Sequence, residues 1–404
     1  MPTDIASELL RRIRTNGVQE AGRRAARRVA QDLSEMFNTH ELEFPLLHRD
    51  IADSTRLQLT SADGREDFGT PLNVAWLCTP PGPGSGGHTT LFRMVRALES
   101  RGHNCSLLLY NRHGSNMVQA EATIRRHWPW LRAKVAPVPD AIEGYDACVA
   151  SSWDTAHVLA SRSAATAMHR FYFIQDYEPF FYPRGSLYSL AEDSYRFGFK
   201  NIALGNMVTE VLQENLGVGS VTVPFGCDGE AYSMENYGPR RGVVFYARET
   251  ADRRGTLLAK LALEEFHDRH PAETIHVYGD PLRSWRIPHR HYGKLTVPQL
   301  SRLYNKTLAG LALSFTNISL VAEEMLACGT IPVVNDHPFA RKDLSARAVR
   351  WAPPTPAGIA QALSAAVENG LTVNESVVAA SQARKSWIPT QALTTSIIET
   401  QVLG

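Results

Sequence analysis

Short apolar runs alternate with helix-length segments along the chain from Leu72 onward. Several runs are apolar at consecutive positions, which is typical of strands covered on both faces. Two series of such runs are separated by a polar stretch around Asn236. The pattern predicts an α/β protein with two doubly wound, Rossmann-like parallel sheets. The first series is NVAWLC, NCSLLLY, ACVAS, RFYFIQ and NIALG, and the second is GVVFYARE, TIHVYGD, RHYGKLT, LAGLALS and TIPVVND.

The domain boundary is predicted near YSMENYGPRRG, where turn-forming residues interrupt the periodicity. Residues 71–237 would form the first domain and residues 238–370 the second. Residues 1–70 are predicted to be a helical and irregular extension. Residues 371–404 are predicted to be a helical tail, kinked at Pro389, that could cross back to the first domain. Ligands bind at the carboxyl ends of strands in open parallel sheets, so two facing domains would enclose a site between them.

Composition and charge are those of an ordinary globular protein, with 44% hydrophobic residues and a formal net charge of +1. A net charge this small gives no field that would favour nucleic acid. The five cysteines are scattered singly without zinc-like spacing, so we expect buried, reduced thiols and a cytoplasmic protein. No apolar run reaches about 18 residues, so no membrane-spanning helix is predicted.

The first 28 residues contain seven arginines against few acidic residues and carry a partly helical apolar stripe. Such a helix could lie on an anionic membrane surface, at the inner face of the membrane. It could equally be a basic helix docked on the body of the protein. The sequence leaves both interpretations open.

An unusual loop, TPPGPGSGGHTT, follows the first predicted strand. It is longer than the roughly 2–6 residues that usually connect a strand to a helix in α/β units. Either it is a stiff insertion, or Gly86 and Gly87 let the backbone approach a ligand such as a diphosphate, with His88 and Thr89 starting the helix. The spacing differs from G-x-G-x-x-G, so it does not indicate a dinucleotide fingerprint.

Candidate anion-binding groups lie at two strand ends of the second domain. Arg248 follows the strand GVVFYA, and Arg253 and Arg254 precede the next helix, where guanidinium groups suit a diphosphate. The alternative is that these are surface arginines paired with acidic neighbours. Further on, Glu324 lies about one turn into a helix. A carboxylate there could hydrogen-bond a ribose diol, or it could only favour its own helix dipole.

Polar and aromatic side chains cluster after a first-domain strand in FIQDYEPFFYP. Gln175, Asp176 and Glu178, with aromatic rings beside them, suit a sugar, whose C–H faces stack and whose hydroxyls hydrogen-bond. The alternative is an ordinary aromatic core, which we expect for Tyr172 and Phe173.

Together these motifs resemble the GT-B glycosyltransferases. SLVAEEMLACGTIPVVND is similar to their donor-domain signature, SGGHTTLFRMVRALESRGH to the opening of their first domain, and YARETADRRG to their diphosphate-binding segment. More narrowly, FIQDYEPFFYPRGSLYSLAEDSY, IALGNMV and PFGCDGEAY resemble the WsaF-type bacterial rhamnosyltransferases. The resemblance covers about residues 71–370.

The resemblance implies a hexosyltransferase that moves L-rhamnose from dTDP-L-rhamnose to an acceptor hydroxyl on a glycan or glycolipid, without a metal or other cofactor. Asp176 would contact the acceptor hydroxyl or act as its base, unless a front-face mechanism needs no protein base. The other implied roles are diphosphate binding by Gly86, Gly87, Arg248, Arg253 and Arg254, nucleoside binding by Tyr292, Leu295 and Glu324, donor-sugar binding by Thr316, Asn317, Ser319 and Leu320, and acceptor binding by His88, Gln175, Tyr177 and Glu178.

One position departs from the family pattern. Many retaining GT-B enzymes carry a glutamate eight residues before the ribose carboxylate, where this chain has Thr316. A short hydroxyl side chain suits a deoxy sugar, and no catalytic glutamate is carried over to this position. Two other functions stay open, a GT-B-fold nucleotide-sugar epimerase or hydrolase and a non-catalytic sugar-nucleotide-binding protein.

Overall fold

The computed structural model describes residues 44–64, 70–114, 116–282, 285–318, 320–368, 370, 372–383 and 386–404, together with Ala26 and Val29. The chain forms two compact units, Met1–Arg49 and Asp50–Gly404. Both predicted sheets belong to the second unit. The seven arginines of the predicted N-terminal helix lie outside the described residues, as does Ser319, one of the predicted donor-sugar residues.

The first sheet is parallel and has seven strands. They are β1 (Asn73–Cys78), β2 (Asn104–Leu109), β3 (Lys134–Pro137), β4 (Ala147–Ala150), β5 (His169–Ile174), β6 (Lys200–Leu204) and β7 (Val221–Val223). The connecting helices are α1 (Gly86–Ser100), α2 (Met117–His127), α3 (Trp153–Ser163), α4 (Ser186–Asp193) and α5 (Asn206–Leu216). The spatial order is β3-β2-β1-β4-β5-β6-β7. The order therefore reverses between β1 and β4, which is where doubly wound proteins bind ligands.

The second sheet is also parallel and has six strands. They are β8 (Val243–Ala247), β9 (Ile275–Gly279), β10 (Arg290–His291), β11 (Ala309–Leu311), β12 (Ile331–Asn335) and β13 (Arg350–Ala352). Its helices are α6 (Thr256–Arg269), α7 (Val297–Lys306), α8 (Leu320–Ala327), α9 (Pro338–Asp343) and α10 (Pro356–Glu368). The order is β10-β9-β8-β11-β12-β13, so the switch point lies between β8 and β11. The predicted fold class, two doubly wound parallel sheets, is confirmed.

Some element boundaries differ from the prediction. The apolar pattern does not reveal β3, β7 and β13, because each has only three or four residues and β3 is partly exposed. β11 ends at Leu311, before the predicted strand end at Ser314. α1 begins at Gly86 instead of at His88, so both glycines belong to its first turn.

Large apolar side chains fill the space between each sheet and its helices. In the first domain, Trp76 and Phe173 are fully buried and their rings meet edge to face at 6.4 Å. In the second, Phe245 and Phe266 are fully buried. Each such side chain stabilises the fold by about 1.5–3 kcal/mol relative to exposure. The five cysteines are buried and unpaired, as predicted.

The C-terminal tail forms α11 (Val373–Gln382) and α12 (Ile388–Leu403). α12 lies against α1 of the first domain, where Gln391 donates to the Arg93 carbonyl at 2.9 Å and Glu399 accepts from His103 at 2.9 Å. Pro389 lies in the first turn of α12 and does not kink a longer helix, because a missing N–H has no cost there. Within the described part of the chain, no helix combines the length and apolar character needed to cross a bilayer.

The two sheet-containing domains also meet through α9 and α5. The carboxylate of Asp343 accepts hydrogen bonds from the backbone N–H groups of Asn206, at 2.7 Å, and Met207, at 2.9 Å. A side chain of the second domain therefore caps a helix of the first and satisfies N–H groups that have no partner within that helix. Phe339 of α9 also stacks on Phe180 of the first domain, with ring centroids 5.9 Å apart.

The glycines at the two ends of α5 provide a matched test of the packing here, because a Cβ on Gly205 would lie 2.7 Å from Asp343 Oδ2 of the second domain. Gly205 has φ +91°, and a Cβ there would lie 2.3 Å from the Phe225 ring, whereas at Gly217, with φ +64°, a Cβ would meet no atom within 4 Å. We expect Gly205→Ala to lower the free energy of unfolding by about 3 kcal/mol or more, through strain and overpacking. Gly217→Ala should cost about 1 kcal/mol, through backbone strain alone. Urea titration measures both, and equal losses would contradict the close packing at Gly205.

Candidate active site

The candidate site is a contact between the carboxyl-terminal edges of the two sheets. Asp176 follows β5 in the first domain, whereas Arg253 and Thr316 belong to loops that follow β8 and β11 in the second. The Thr316 hydroxyl donates to Asp176 Oδ2 at 2.9 Å. Arg253 Nη1 lies 3.6 Å from the same oxygen, which is an ion-pair distance. A carboxylate from one domain thus meets a hydroxyl and a guanidinium from the other.

The Asp176 carboxylate is buried, with the residue only 6% exposed. Burial raises the pKa of this group above its ordinary value, although Arg253, Arg254 and the Thr316 hydrogen bond oppose the rise. The second oxygen, Oδ1, is also buried and forms no hydrogen bond of normal geometry with the described residues. A buried polar atom without a partner is costly, so this oxygen is suited to accept a hydrogen bond or a proton from a ligand.

A second contact between the domains involves the glycine loop, the segment TPPGPGSGGHTT at residues 79–90. Asn317 Nδ2 donates to the Gln175 carbonyl at 3.3 Å, and Gln175 Nε2 donates to the Gly87 carbonyl at 3.1 Å. A Cβ on Gly87 would make only ordinary contact with Gln175, and a Cβ on Gly86 would meet no atom within 4 Å. The packing of the protein itself does not require glycine at either position. Their role beside a diphosphate stays a prediction.

The three arginines predicted to bind the diphosphate have different environments. Arg248 is exposed. The Arg253 guanidinium lies 4.4 Å from the centre of the Phe181 ring, which belongs to the first domain. Arg254 donates to the Ser314 hydroxyl at 3.1 Å, and burial lowers the pKa of its guanidinium to about 10. Arg254 therefore stays charged at neutral pH, as an anion-binding residue must.

Ser314 is fixed by Asn335 at the end of β12. The Ser314 N–H donates to Asn335 Oδ1 at 2.8 Å, and Asn335 Nδ2 donates to the Ser314 carbonyl at 2.8 Å. The Ser314 hydroxyl also donates to Asn317 Oδ1 at 3.3 Å. The loop that reaches the first domain is therefore held by buried polar partners within the second.

Glu324, the predicted ribose ligand, lies half-buried in α8. Burial raises the pKa of its carboxyl group to about 7, while the positive charge of Arg93 opposes the rise and Asp228 adds to it. Arg93 projects from α1, pairs with Asp228 at 3.2 Å and lies 5.3 Å from the centre of the Trp387 ring. Arg93 of the first domain thus lowers the pKa of Glu324 in the second, and Trp387 of the C-terminal tail packs against Arg93.

Tyr177, one of the predicted acceptor residues, is fully buried. Its ring stacks on Tyr195 and its hydroxyl donates to Glu192 at 2.9 Å. The chain turns after β5 in such a way that Asp176 faces the second domain and Tyr177 faces the core of the first. In this arrangement Tyr177 is a core residue of the first domain, and its contact with an acceptor stays a prediction.

His88, another predicted acceptor residue, uses both ring nitrogens within its own loop. Nε2 donates to the Thr79 carbonyl at 2.9 Å, and Nδ1 accepts from the Ser85 hydroxyl at 2.8 Å. Burial lowers the pKa of the imidazole, which favours this neutral form. His88 therefore holds the loop before α1 with both ring nitrogens, and its contact with an acceptor stays a prediction.

Glu178 is only partly buried and accepts hydrogen bonds from the Trp153 N–H and the Tyr172 hydroxyl. Burial and the negative charge of Asp154 raise the pKa of its carboxyl group to about 8. Asp154, which the sequence pattern did not single out, is buried in the first turn of α3 and its own pKa is raised by burial. With Asp176, these groups give the first domain an edge rich in carboxyl groups.

The residues predicted to contact the donor sugar are placed differently from one another. Thr316 is only 3% exposed and its hydroxyl donates to Asp176, so its side chain faces the first domain. Its predicted contact with the donor sugar stays a prediction. Asn317 bridges to Gln175, as described above, and Leu320 packs against the core at the start of α8.

Two of the three predicted nucleoside residues, Tyr292 and Leu295, follow β10 at the edge of the second sheet. Tyr292 is 39% exposed, and its hydroxyl bonds His276 Nδ1 at 2.8 Å. Leu295 packs, partly buried, against the core. An exposed ring held at one end could stack on a base, so the predicted role of Tyr292 stays open to test.

Several site residues escaped sequence reasoning because their partners are distant in the chain. Arg93 lies in α1, but its neighbour Asp228 comes from the segment between β7 and β8, and its neighbour Trp387 comes from the C-terminal tail. Asn335 contributes to the site by hydrogen-bonding the backbone of Ser314. In the part of the chain that the structure describes, no three His, Cys, Asp or Glu side chains are grouped as metal ligands would be. Independence from metals stays a prediction.

Comparison with known proteins finds two family models that match parts of this chain. The models described as "WsaF, N-terminal domain" and "WsaF, C-terminal domain" match residues 137–208 and 241–364. The O-antigen biosynthesis protein RfbC of Myxococcus xanthus is 29% identical over 325 residues, which are 76% of this chain and 25% of that protein. The chain therefore spans about a quarter of the length of this curated relative.

Solved structures of similar fold include a sucrose-phosphate synthase from Thermosynechococcus elongatus, with a TM-score of 0.61 at 12% identity over 82% of this chain and 99% of that one. Anabaena Alr3699/HepE in complex with UDP and glucose has a TM-score of 0.59 at 14% identity, over 82% and 98% of the two chains. At these identities the similarity shows the fold alone. The chain has a GT-B fold, and residues 137–208 and 241–364 are similar to the N-terminal and C-terminal domains of the WsaF family.

Proposed function

We propose that the protein is a glycosyltransferase that moves a sugar from a nucleoside-diphosphate donor to an acceptor hydroxyl. The observation that carries this proposal is the meeting of Asp176 of the first domain with Arg253 and Thr316 of the second. A carboxylate on the acceptor side can accept the acceptor proton, and cations on the donor side can stabilise the leaving diphosphate. The WsaF domains and the GT-B fold support the same conclusion.

The proposed donor is dTDP-L-rhamnose, and the proposed acceptor is a glycan or glycolipid in polysaccharide biosynthesis. The resemblance to WsaF-type rhamnosyltransferases supports the sugar, and the name of the O-antigen biosynthesis relative supports the acceptor class. Because Thr316 donates its hydroxyl proton to Asp176, position 316 has no proton to donate to the sugar, which suits a deoxy sugar with fewer hydroxyl groups. The fold itself does not select the donor, since Anabaena Alr3699/HepE was solved with UDP and glucose.

In the proposed reaction, the bond between the anomeric carbon and the diphosphate oxygen breaks, and the diphosphate leaves with the electron pair. Arg248, Arg253 and Arg254 would stabilise the negative charge that develops on it. The N–H groups of Gly86 and Gly87, in the first turn of α1, would add to this stabilisation. Because these cations and N–H groups would supply the charge stabilisation, we propose that transfer requires no metal or other cofactor.

The acceptor oxygen forms the new bond to the anomeric carbon and gives its proton to Asp176. The raised pKa of Asp176 suits this role, because a general base works best when its pKa approaches the working pH. Gln175 and Glu178 would bind acceptor hydroxyls beside it. A single displacement of this kind inverts the configuration at the anomeric carbon.

The proposed location is the cytoplasm, and the arginine-rich first 28 residues support contact with the inner face of the membrane.

A thermal-shift panel of dTDP-, UDP- and GDP-sugars tests the donor. A specific ligand stabilises the protein by RT ln(1 + [L]/Kd), about 2.7 kcal/mol at 100 times Kd. We expect dTDP-L-rhamnose to raise Tm most, and to be consumed only when a glycan or lipid-linked acceptor is added. Full consumption without an acceptor would favour the epimerase or hydrolase. Binding without consumption would favour a non-catalytic protein, and no shift with any sugar would contradict the proposal.

Donor affinity should depend on the charge of Glu324. Its carboxyl pKa is about 7, so protonation at lower pH removes a hydrogen-bond acceptor from the predicted ribose site. We expect the Kd for dTDP-L-rhamnose, measured by calorimetry, to rise as pH falls from about 8 to about 6. Glu324→Gln should bind more weakly, with a Kd that changes little over this range. A wild-type Kd that is the same at both pH values would exclude Glu324 as the ribose ligand.

Asp176→Asn should remove the base while preserving the shape of the side chain. We expect kcat to fall by about 10²–10⁴-fold, with donor affinity little changed. Initial rates with saturating donor and acceptor, together with calorimetry, measure the two effects. Asp140→Asn is the matched control, because the Asp140 side chain is 81% exposed. A product with retained anomeric configuration by NMR, together with only a modest loss of rate, would contradict the role of Asp176 as base.

A further inference from the structure

The contact of Thr316 with Asp176 has features that a simple domain contact would not require. Thr316 is 3% exposed and its hydroxyl donates to one specific oxygen, Oδ2, at 2.9 Å. That bond leaves the other oxygen, Oδ1, buried and without a normal hydrogen bond to the described residues. A hydrogen bond from a buried hydroxyl to an ionised carboxylate is directional and strong. Thr316 therefore determines which oxygen of Asp176 is left to accept a ligand proton.

Arg253 cannot supply the same directional control. Its Nη1 atom lies 3.6 Å from Asp176 Oδ2 and forms no normal hydrogen bond with the described residues. Its guanidinium is held by the Phe181 ring, 4.4 Å from its centre. In the proposed reaction Arg253 also stabilises the diphosphate, so it attracts Asp176 through charge without fixing the plane of the carboxylate. The Tyr177 N–H also stabilises the carboxylate, but it belongs to the same chain segment as Asp176. Of the two second-domain side chains that contact Asp176, Thr316 is thus the one that orients it.

The hydroxyl of Thr316 is itself fixed by the second domain. Its loop is tied to β12 by the two hydrogen bonds between Ser314 and Asn335, each 2.8 Å long. The next residue, Asn317, donates to the Gln175 carbonyl, beside Asp176 in the chain. Two consecutive residues of one domain therefore contact two consecutive residues of the other, which fixes the register of the contact.

We propose that Thr316 is a positioning residue, which orients the Asp176 carboxylate so that the base is complete only when the two domains are in contact. The inference deepens the proposed function and rests on it. Separation of the domains would remove the hydroxyl and the Arg253 charge from Asp176 together. The base would then act only in the arrangement that also brings the donor-side arginines to the acceptor.

The same contact predicts a change in the pH dependence of transfer. The charged and titratable groups that act on Asp176 are Arg253 and Arg254 from the second domain, and Glu178 and Tyr195 from the first. The Thr316 hydroxyl donates to the ionised form and so lowers the pKa of Asp176. Removing this hydroxyl should raise that pKa. Because the base must be ionised to accept a proton, the acid limb of the rate profile should move to higher pH.

Thr316→Val removes the hydroxyl at nearly constant volume, and Thr316→Ser retains it. We expect Thr316→Val to lower kcat by about 10- to 100-fold, with KM for donor and acceptor little changed, because a misplaced base affects the chemical step. The acid limb of the kcat–pH profile should move to higher pH in Thr316→Val and stay near that of the wild type in Thr316→Ser. If Thr316→Val does not fold, Thr316→Ala replaces it.

Two further variants separate positioning from a general loosening of the interface. Asn317→Ala removes the neighbouring contact between the domains without touching Asp176, so it should leave the acid limb in place. In an Asp176→Asn background, Thr316→Val should cause little further loss, because a residue that acts through Asp176 is not additive with it.

The possible results distinguish the two proposals. A wild-type protein that transfers no sugar to any acceptor would overturn the proposed function. Transfer by the wild type, with Thr316→Val equal to it in kcat and in pH profile, would overturn the inference alone. An equal shift of the acid limb in Thr316→Val and Asn317→Ala, or full additivity with Asp176→Asn, would also overturn the inference.

Discussion

The burial of a carboxylate at the boundary between two domains is the constraint on which the site depends. Removing a charged group from water costs several kcal/mol unless charges and hydrogen bonds compensate for it. Asp176 receives that compensation from Arg253 and Thr316, both from the opposite domain. The compensation is incomplete, since the pKa of Asp176 is still raised. Arg253 and Thr316 thus offset the cost of burying the carboxylate and also place the second domain, the proposed donor side, beside it.

Other contacts hold the two sheets in the arrangement that this site needs. Asp343 caps α5 across the boundary, and α12 returns from the second domain to pack on α1. Each hydrogen bond contributes only about 1 kcal/mol net, so no single one decides the arrangement. The positions of these hydrogen bonds explain their effect on the arrangement of the sheets better than their strength does. The cap lies on the helix that follows β6, next to β5 in the sheet, and the tail contacts the helix that carries Arg93.

The sequence predicted those features that depend on local pattern. Consecutive apolar residues identified the longer strands, such as β1, β8 and β12, and the rule that ligands bind at strand ends pointed to Asp176, Arg253 and Arg254. It did not predict which way side chains turn in the short segment after β5, where Asp176 faces the second domain and Tyr177 faces the core. It also missed Arg93 and Asn335, because their partners are brought near only by the tertiary fold. The hydrogen bond from the Thr316 hydroxyl to Asp176 was not foreseen for the same reason.

The glycine loop connects these observations. Gly86 and Gly87 form the first turn of α1, so their N–H groups are free of intrahelical partners and suit an anion. The loop before them is fixed by His88 through Thr79 and Ser85. Its far side is fixed by Gln175, whose side chain bonds Gly87 and whose backbone accepts from Asn317. Gln175 holds the predicted diphosphate site through Gly87, and the next residue, Asp176, is the predicted base. The two sites are therefore connected by hydrogen bonds.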